Sequence, residues 1–184
     1  AWSQCSTSLQ FFSVAPITLD NNPDNVCAEL VLKPGIEYSK FPIFKPRSLP
    51  FSLREKVEES IQEQVKCGIL VSVSKAIMTC PIVPVIKADG SIGICGDYSL
   101  TANKFIDAEQ YPLPTFEDIT TSMANCIIFS KLDLKRAYLQ LPLSEASQCY
   151  TIISTHIGHF NYTKLPFGIS SSPRIFQQFL DRLI

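Results

Sequence analysis

The sequence lacks a dominant charge, a cysteine pattern and a long apolar run, and each absence narrows what the chain can be. Sixteen Lys and Arg stand against seventeen Asp and Glu, a formal charge of −1 over 184 residues. Any grip on nucleic acid must therefore come from local basic clusters, and a simple nucleic-acid-coating protein is disfavoured. The seven cysteines, Cys5, Cys27, Cys67, Cys80, Cys95, Cys126 and Cys149, are an odd number, widely scattered, with no Cys-x-x-Cys. That argues against a disulfide framework or a zinc site and for buried thiols in a reducing compartment. No run approaches the roughly 20 apolar residues of a membrane span, and the N-terminus has no signal-type pattern. The expected location is the cytoplasm, with the nucleus as an alternative, and no membrane partner is expected.

What is present is ample apolar material, 46% of residues, enough for one large domain or two small subdomains. Residues 1–26 show no clear period and end in the turn-rich Asp20-Asn-Asn-Pro-Asp24. From Cys27 an alternating Ala-Glu-Leu-Val-Leu run reads as a short strand, and the prolines of Phe41–Arg47 predict an extended segment lying on a surface. Ser52-Leu-Arg-Glu55 has the form of a capping box, and Leu53, Val57, Ile61 and Val65 make one face of a helix ending at Gly68. Ile69–Val73, Ile82–Ile86 and Ile92–Tyr98 read as strands, the last two joined by an Asp89-Gly90 hairpin turn that carries Lys87 at its tip.

Thr115 and Asp118 predict a second capped helix with Phe116, Ile119 and Met123 on its inner side. A second sheet is expected after it: a strand Ile127–Asp133, then a hairpin of Cys149–Thr155 with Phe160–Leu165 around Gly158. Ser172-Pro173 has the form of a capped helix start, leading an apolar helix toward Ile184. The pattern is mixed α+β. Its expected organisation is an N-terminal extension, 1–26, a first subdomain, 27–114, and a second, 115–184.

Asp133 is the chemical question in this pattern. Inside an apolar strand an isolated carboxylate costs several kcal/mol unless something pairs with it. Lys131, Lys135 and Arg136 are close in sequence, so a strand-end carboxylate paired with a lysine is one reading. A hard oxygen ligand for Mg²⁺ is the other, since that ion takes few protein carboxylates together with substrate phosphates. Spacing leaves both open.

The surrounding motifs carry a resemblance. Phe129-Ser-Lys-Leu-Asp-Leu-Lys-Arg-Ala-Tyr138 and Leu165-Pro-Phe-Gly-Ile-Ser-Ser-Ser-Pro-Arg-Ile-Phe-Gln177 closely resemble the palm of reverse transcriptases (RNA-directed DNA polymerases) from Ty3/gypsy-type LTR retrotransposons and endogenous retroviral relatives. Phe44–Arg47, Phe51–Lys56, Cys80–Val85, Lys87–Gly90, Ile94-Cys-Gly-Asp-Tyr98 and Gln110–Pro114 match the same family in the same order. The resemblance implies a right-hand polymerase fold: fingers for 27–114 and the N-terminal part of the palm for 115–184. It implies phosphoryl transfer from a dNTP to a primer on an RNA or DNA template, with two Mg²⁺ (or Mn²⁺) ions.

Position by position, the resemblance makes Asp133 the catalytic metal-binding aspartate and the Leu134 carbonyl a second metal ligand. Lys87 would hold the triphosphate. Ala137 and Tyr138 would line the sugar pocket, with Tyr138 excluding a 2′ hydroxyl, and Phe167 and Gly168 would lie beneath the incoming nucleotide. Pro166, Ser172, Pro173, Phe176 and Gln177 would support the template-primer.

The sequence also departs from the family. A Tyr-x-Asp-Asp carboxylate pair, expected downstream of the helix that starts at Ser172, is absent from it, as are thumb, connection and RNase H regions. Gly93 stands where an arginine is usual, Ser99 where a second basic residue is common, Ala76–Thr79 where a tryptophan is usual, and Arg174 where a small residue is common. The expectation is a fragment inactive by itself, holding Mg²⁺ weakly or not at all, and decayed or repurposed in preference to intact and cut short. A truncated palm face would invite dimerisation or aggregation. The alternative function is a domesticated, non-catalytic scaffold for RNA or a protein partner.

Overall fold

The computed structural model describes residues 12–13, 26–88, 90–107, 111–124, 126, 130–131 and 133–183. In chain order the elements are β1 (Phe12–Ser13), α1 (Phe51–Lys66), β2 (Leu70–Val73), β3 (Cys80–Ile86) and β4 (Ile92–Gly96). There follow α2 (Ala102–Phe105), α3 (Phe116–Ser122), β5 (Ser130–Lys131), α4 (Glu145–Gln148), β6 (Ile153–Thr155), β7 (Gly158–Tyr162) and α5 (Ser172–Leu183). Short 3₁₀ turns occupy Tyr38–Lys40, Tyr98–Leu100 and Ala137–Gln140.

The α1 stripe packs as its spacing requires at Val57 and Ile61, both buried, while Leu53 is half-buried and Val65 is exposed. The expected capping box is not what starts the helix. Pro50 occupies the cap with no side-chain hydrogen bond, and its fixed φ starts the helix two residues ahead of Ser52, which lies inside the first turn. The stop is as expected: Gly68 takes φ 67°, a left-handed conformation that glycine adopts without a Cβ penalty.

The two expected sheets are largely one. β2, β7, β6, β3 and β4 form a single five-stranded sheet in that order. β6 runs parallel to β3, pairing Cys80 with Ile153 and Pro81 with Ser154, and every other pairing in the sheet is antiparallel. β6, Ile153-Ser154-Thr155, is buried along its whole length between β3 and β7, so it extends the first sheet and does not begin one of its own. Of the strand expected at 127–133, Ser130–Lys131 pairs in parallel with Phe12–Ser13, and residues 127–129 and 132 lie outside the described residues. The expected turn between β3 and β4 is present, Gly90 at φ 77° with its N donating to Lys87 O at 3.0 Å, although Asp89 itself lies outside the described residues.

The run from Cys27 is extended but forms bridges instead of a strand: Ala28 with Leu143 and Leu32 with Ile106. It ties the start of the fold to its second half, since Ala28 N donates to Pro142 O at 2.7 Å and Leu30 N to Ser147 Oγ at 2.8 Å. The proline-rich 41–47 segment is extended as expected, with Phe44 N donating to Thr79 O and Thr79 N to Pro42 O, each at 3.2 Å.

α3 carries its predicted capping box: Thr115 Oγ1 accepts from Asp118 N, and Asp118 accepts from Thr115 N. Its apolar face is not inward. Phe116, Ile119 and Met123 are 79%, 44% and 43% exposed, because among the described residues no apolar element packs over this seven-residue helix. The terminal helix α5 does pack, burying Ile175, Phe176 and Phe179. Its Ser172 hydroxyl does not cap it but donates to Pro166 O at 3.1 Å.

The thiols divide more evenly than expected. Cys80 is buried and Cys95 and Cys149 are half-buried, whereas Cys27, Cys67 and Cys126 are exposed.

Candidate active site

The site rests on a close approach of glycines to Tyr98. A Cβ at Gly96 would stand 2.6 Å from Tyr98 Cζ, so the ring lies against bare backbone. Tyr98 is buried, its hydroxyl donates to Thr151 O at 3.1 Å, and burial raises its phenol well above the ordinary value. Gly168, at φ 91°, closes on the same place: a Cβ there would meet Cys95 Sγ and Gly96 O at 3.2 Å and Tyr98 at 3.4 Å. The 166–171 loop is thereby seated on the end of β4. Asn103 holds it from the other side, its Nδ2 donating to Gly168 O at 2.9 Å and its Oδ1 accepting from Ser170 N at 2.8 Å.

This seating brings together residues from motifs far apart in the chain. The Phe167 ring is 4.9 Å from Tyr138, and Phe176 of α5 meets Tyr138 edge-on at 5.3 Å. Phe176 is buried, Tyr138 half-buried and Phe167 exposed, so the cluster is anchored at one end and open at the other. Ala137 shares the 3₁₀ turn of Tyr138, and Gln140 Nε2 closes that turn on Lys135 O at 2.7 Å. Phe167 also borders a cleft of about 210 Å³ with Lys87, Gly93, Arg136 and Glu63. Arg136 Nη2 lies 3.7 Å from Glu63 Oε1.

Asp133 is exposed, beyond the end of β5, and among the described residues it makes no ion pair. The buried strand carboxylate expected from the sequence is therefore corrected: water solvates it, and neither Lys131 nor Lys135 has to offset a burial penalty. Leu134, half-buried, packs on the core beside it. Among the described residues no three His, Cys, Asp or Glu side chains converge to hold a metal ion. Asp133 has the right hard oxygen chemistry, but the donor set present does not by itself fit a two-metal centre. Pro166 is buried, Pro173 is exposed, and Gln177 donates to Asp181 Oδ1 at 2.7 Å.

Three contributors escape sequence reasoning. Asn103 lies in a polar stretch with no motif. Glu63 reads only as the solvated face of α1. Asp97, inside Ile94–Tyr98, pairs with Arg47 and accepts from Ser99 Oγ; the Ser99 hydroxyl first and Arg47 second lower its carboxyl pKa.

Comparison with known proteins accords with this arrangement. The family model described as reverse transcriptase (RNA-dependent DNA polymerase) matches residues 92–184. The chain is similar to the uncharacterized protein K02A2.6 of Caenorhabditis elegans, 34% identical over 151 residues, which are 80% of this chain and 12% of that protein. It is also similar to the transposon Tf2-3 polyprotein of Schizosaccharomyces pombe, 32% identical over 136 residues, 74% of this chain and 10% of the polyprotein. The chain thus spans about a tenth of the curated relatives it matches. Among solved structures, the foamy viral protease-reverse transcriptase in complex with RNA/DNA hybrid superimposes with a TM-score of 0.63 at 19% identity, covering 99% of this chain and 22% of that one. The prototype foamy virus protease-reverse transcriptase (native) gives 0.64 at 23% identity, with 77% and 19% covered. By family match, relatives and fold, the chain belongs to the reverse transcriptase (RNA-dependent DNA polymerase) family, as a domain of the retrotransposon type.

Proposed function

We propose that the chain carries the nucleotide-facing part of a template-directed DNA polymerase that uses dNTPs on an RNA or DNA template-primer. The observation that carries this reading is the convergence of Tyr138, Phe167 and Phe176, from three separate motifs, beside a cleft that includes Lys87. In this reading Tyr138 packs under the sugar and blocks a 2′ hydroxyl, with Ala137 lining the same pocket. The partly exposed Phe167 and the tight Gly168 turn lie beneath the incoming nucleotide, and Lys87 meets its phosphates as a point charge. Pro166, Ser172, Pro173, Phe176 and Gln177 support the template-primer. Asp133, exposed to solvent, is the one catalytic carboxylate and metal ligand the sequence supplies, and the Leu134 carbonyl is the backbone ligand beside it. Fingers and palm are read as 27–114 and 115–184, with residues 153–162 crossing back into the first unit's sheet.

Because the 184 residues contain no Tyr-x-Asp-Asp, we expect this polypeptide to synthesise no DNA in a primer-extension assay with Mg²⁺. Extension lost in Asp133→Asn would overturn that. Binding tests the surface itself: a labelled primer–template should bind with an affinity that falls steeply with salt, because phosphate contacts release counterions.

The second reading is a scaffold, favoured by the exposed Phe116, Ile119 and Met123 face of α3. Salt-insensitive dimerisation without nucleic-acid binding would select it.

A further inference from the structure

One stripe of α5 walls a cavity that no motif of the sequence marks. Ile175, Gln178, Phe179 and Arg182 recur at the spacing of successive helical turns, and all four border a space of about 260 Å³. The facing wall is the extended run that starts at Val26. It alternates: Ala28 and Leu30 turn into the core, 2% and 4% exposed, while Cys27, Glu29 and Val31 stay outward. Hydrogen bonds hold that run in place, from Ala28 N to Pro142 O at 2.7 Å, Ser144 N to Ala28 O at 3.0 Å and Leu30 N to Ser147 Oγ at 2.8 Å. Leu141, Ile175 and Phe179, all buried, make the apolar part of the lining.

Two opposite charges border the same space, Arg182 from the helix and Glu29 from the run. Among the described residues no ion pair joins them to each other or to any other side chain. Asp181, the carboxylate next to Arg182 in sequence, is already engaged: its two oxygens accept from Tyr111 Oη at 2.5 Å and from Gln177 Nε2 at 2.7 Å. Gln178, half-buried, adds a carboxamide one turn before Arg182. A separated cation and anion beside an apolar surface suit a ligand that carries both signs on an apolar body. A guanidinium takes a carboxylate through parallel N–H donors, and a carboxylate takes an ammonium as a point charge.

We propose that this cavity binds a free apolar amino acid as its zwitterion, with the carboxylate on Arg182 and Gln178, the ammonium on Glu29 and the side chain on Leu141, Ile175 and Phe179. The volume is slightly under the roughly 300 Å³ at which drug-sized sites begin, so the occupant is of amino-acid size and not a nucleotide. The cavity shares no lining residue with the Lys87 cleft. This inference therefore stands apart from the polymerase reading.

L-Leucine titrated into the whole chain at low salt, followed through backbone amide shifts in nuclear magnetic resonance, tests it. Saturable shifts should centre on residues 26–31 and 175–182, with a dissociation constant in the millimolar range. Leucinamide lacks the carboxylate and N-acetyl-leucine lacks the ammonium, and each should bind about tenfold more weakly than leucine. In Arg182→Gln the preference for leucine over leucinamide should vanish, and in Glu29→Gln the preference over N-acetyl-leucine should vanish. Arg182→Lys should recover only part of the loss, since an ammonium lacks the fork. Both side chains are exposed, and circular dichroism melts confirm that each variant is folded. Cys27, at the rim, gives a second readout: saturating leucine should slow its labelling by an aromatic disulfide reagent several-fold and leave the exposed Cys67 unchanged. Absence of a saturable shift, equal binding of leucine and leucinamide, discrimination that survives Arg182→Gln or Glu29→Gln, or unslowed labelling of Cys27 overturns the proposal.

Discussion

The rings of Tyr138 and Phe167 lie 4.9 Å apart with planes inclined at 51°, and that pair is the open end of an aromatic cluster whose closed end is Phe176. Exposure grades the cluster, from 6% at Phe176 to 46% at Phe167. The gradient separates what holds the fold from what faces a ligand. Phe176→Ala should destabilise by about 3–5 kcal/mol, as buried aromatic truncations do. Phe167→Ala should cost about 1 kcal/mol or less, because half its ring is already in water. Urea denaturation of the two variants measures both, and equal losses would mean that Phe167 is structural and free of any ligand-facing part.

Gly96 and Gly35 offer a paired test of close approach against backbone conformation. A Cβ at Gly96 would collide with the Tyr98 ring, whereas at Gly35, φ 78°, it would meet nothing within 4 Å. Gly96→Ala should therefore cost about 1–3 kcal/mol by overpacking, and the smaller Tyr98→Leu ring-less background should make the same alanine cheaper. Gly35→Ala should cost about 1–2 kcal/mol from its left-handed backbone alone, with no dependence on Tyr98. Thermal melts of Gly96→Ala, Gly35→Ala, Tyr98→Leu and the two doubles with Tyr98→Leu check this; a Gly96→Ala penalty independent of residue 98 would remove the collision as its cause.

The sequence made local features legible and long-range ones only through motif order. Val57 and Ile61, the Thr115–Asp118 box and the β3–β4 hairpin follow from periodicity and turn chemistry that operate within a few residues. The insertion of β6 beside β3 does not, since parallel pairing across some seventy positions leaves no local mark. For the same reason the α3 face was expected inward: its spacing records amphipathicity but not whether anything covers it. At the site, Tyr138, Phe167 and Lys87 were marked by the motifs they stand in. Asp133 was placed in a buried strand because apolar neighbours precede it, yet it lies past β5 in solvent. Glu63 and Asn103 carry no signal, because each acts through a partner more than sixty residues away.

Asp97 should give the fold an acid-sensitive component. The Ser99 hydroxyl and Arg47 hold its carboxyl below the usual range, so the folded-state pKa is depressed relative to the unfolded chain. Stability from this group is then fully present above the unfolded value, about 3.9, and is lost as pH falls through the folded one. Asp97→Asn should lower the melting temperature at pH 7 and flatten its decline below about pH 4. Ser99→Ala should do the same in part. Melting temperatures from pH 7 down to pH 2 test it, and parallel curves for Asp97→Asn and the unmodified chain would show that the pair contributes nothing.

Thiol chemistry should follow burial with a wide separation. Desolvation pushes the Cys80 thiol up to about 12 and raises Cys95 and Cys149 above their ordinary value. The thiolate is the nucleophile, so at pH 8 only about one Cys80 side chain in ten thousand is reactive at any moment, and buried packing blocks reagent access as well. Cys27, Cys67 and Cys126 are exposed and should be labelled by an aromatic disulfide reagent within minutes, while Cys80 should stay unlabelled until denaturant is added. Mass spectrometry of peptides from native and unfolded labelling distinguishes the sites. Native labelling of Cys80 at the rate of Cys67 would mean that β3 opens locally, and with it the strand pairing between Cys80 and Ile153.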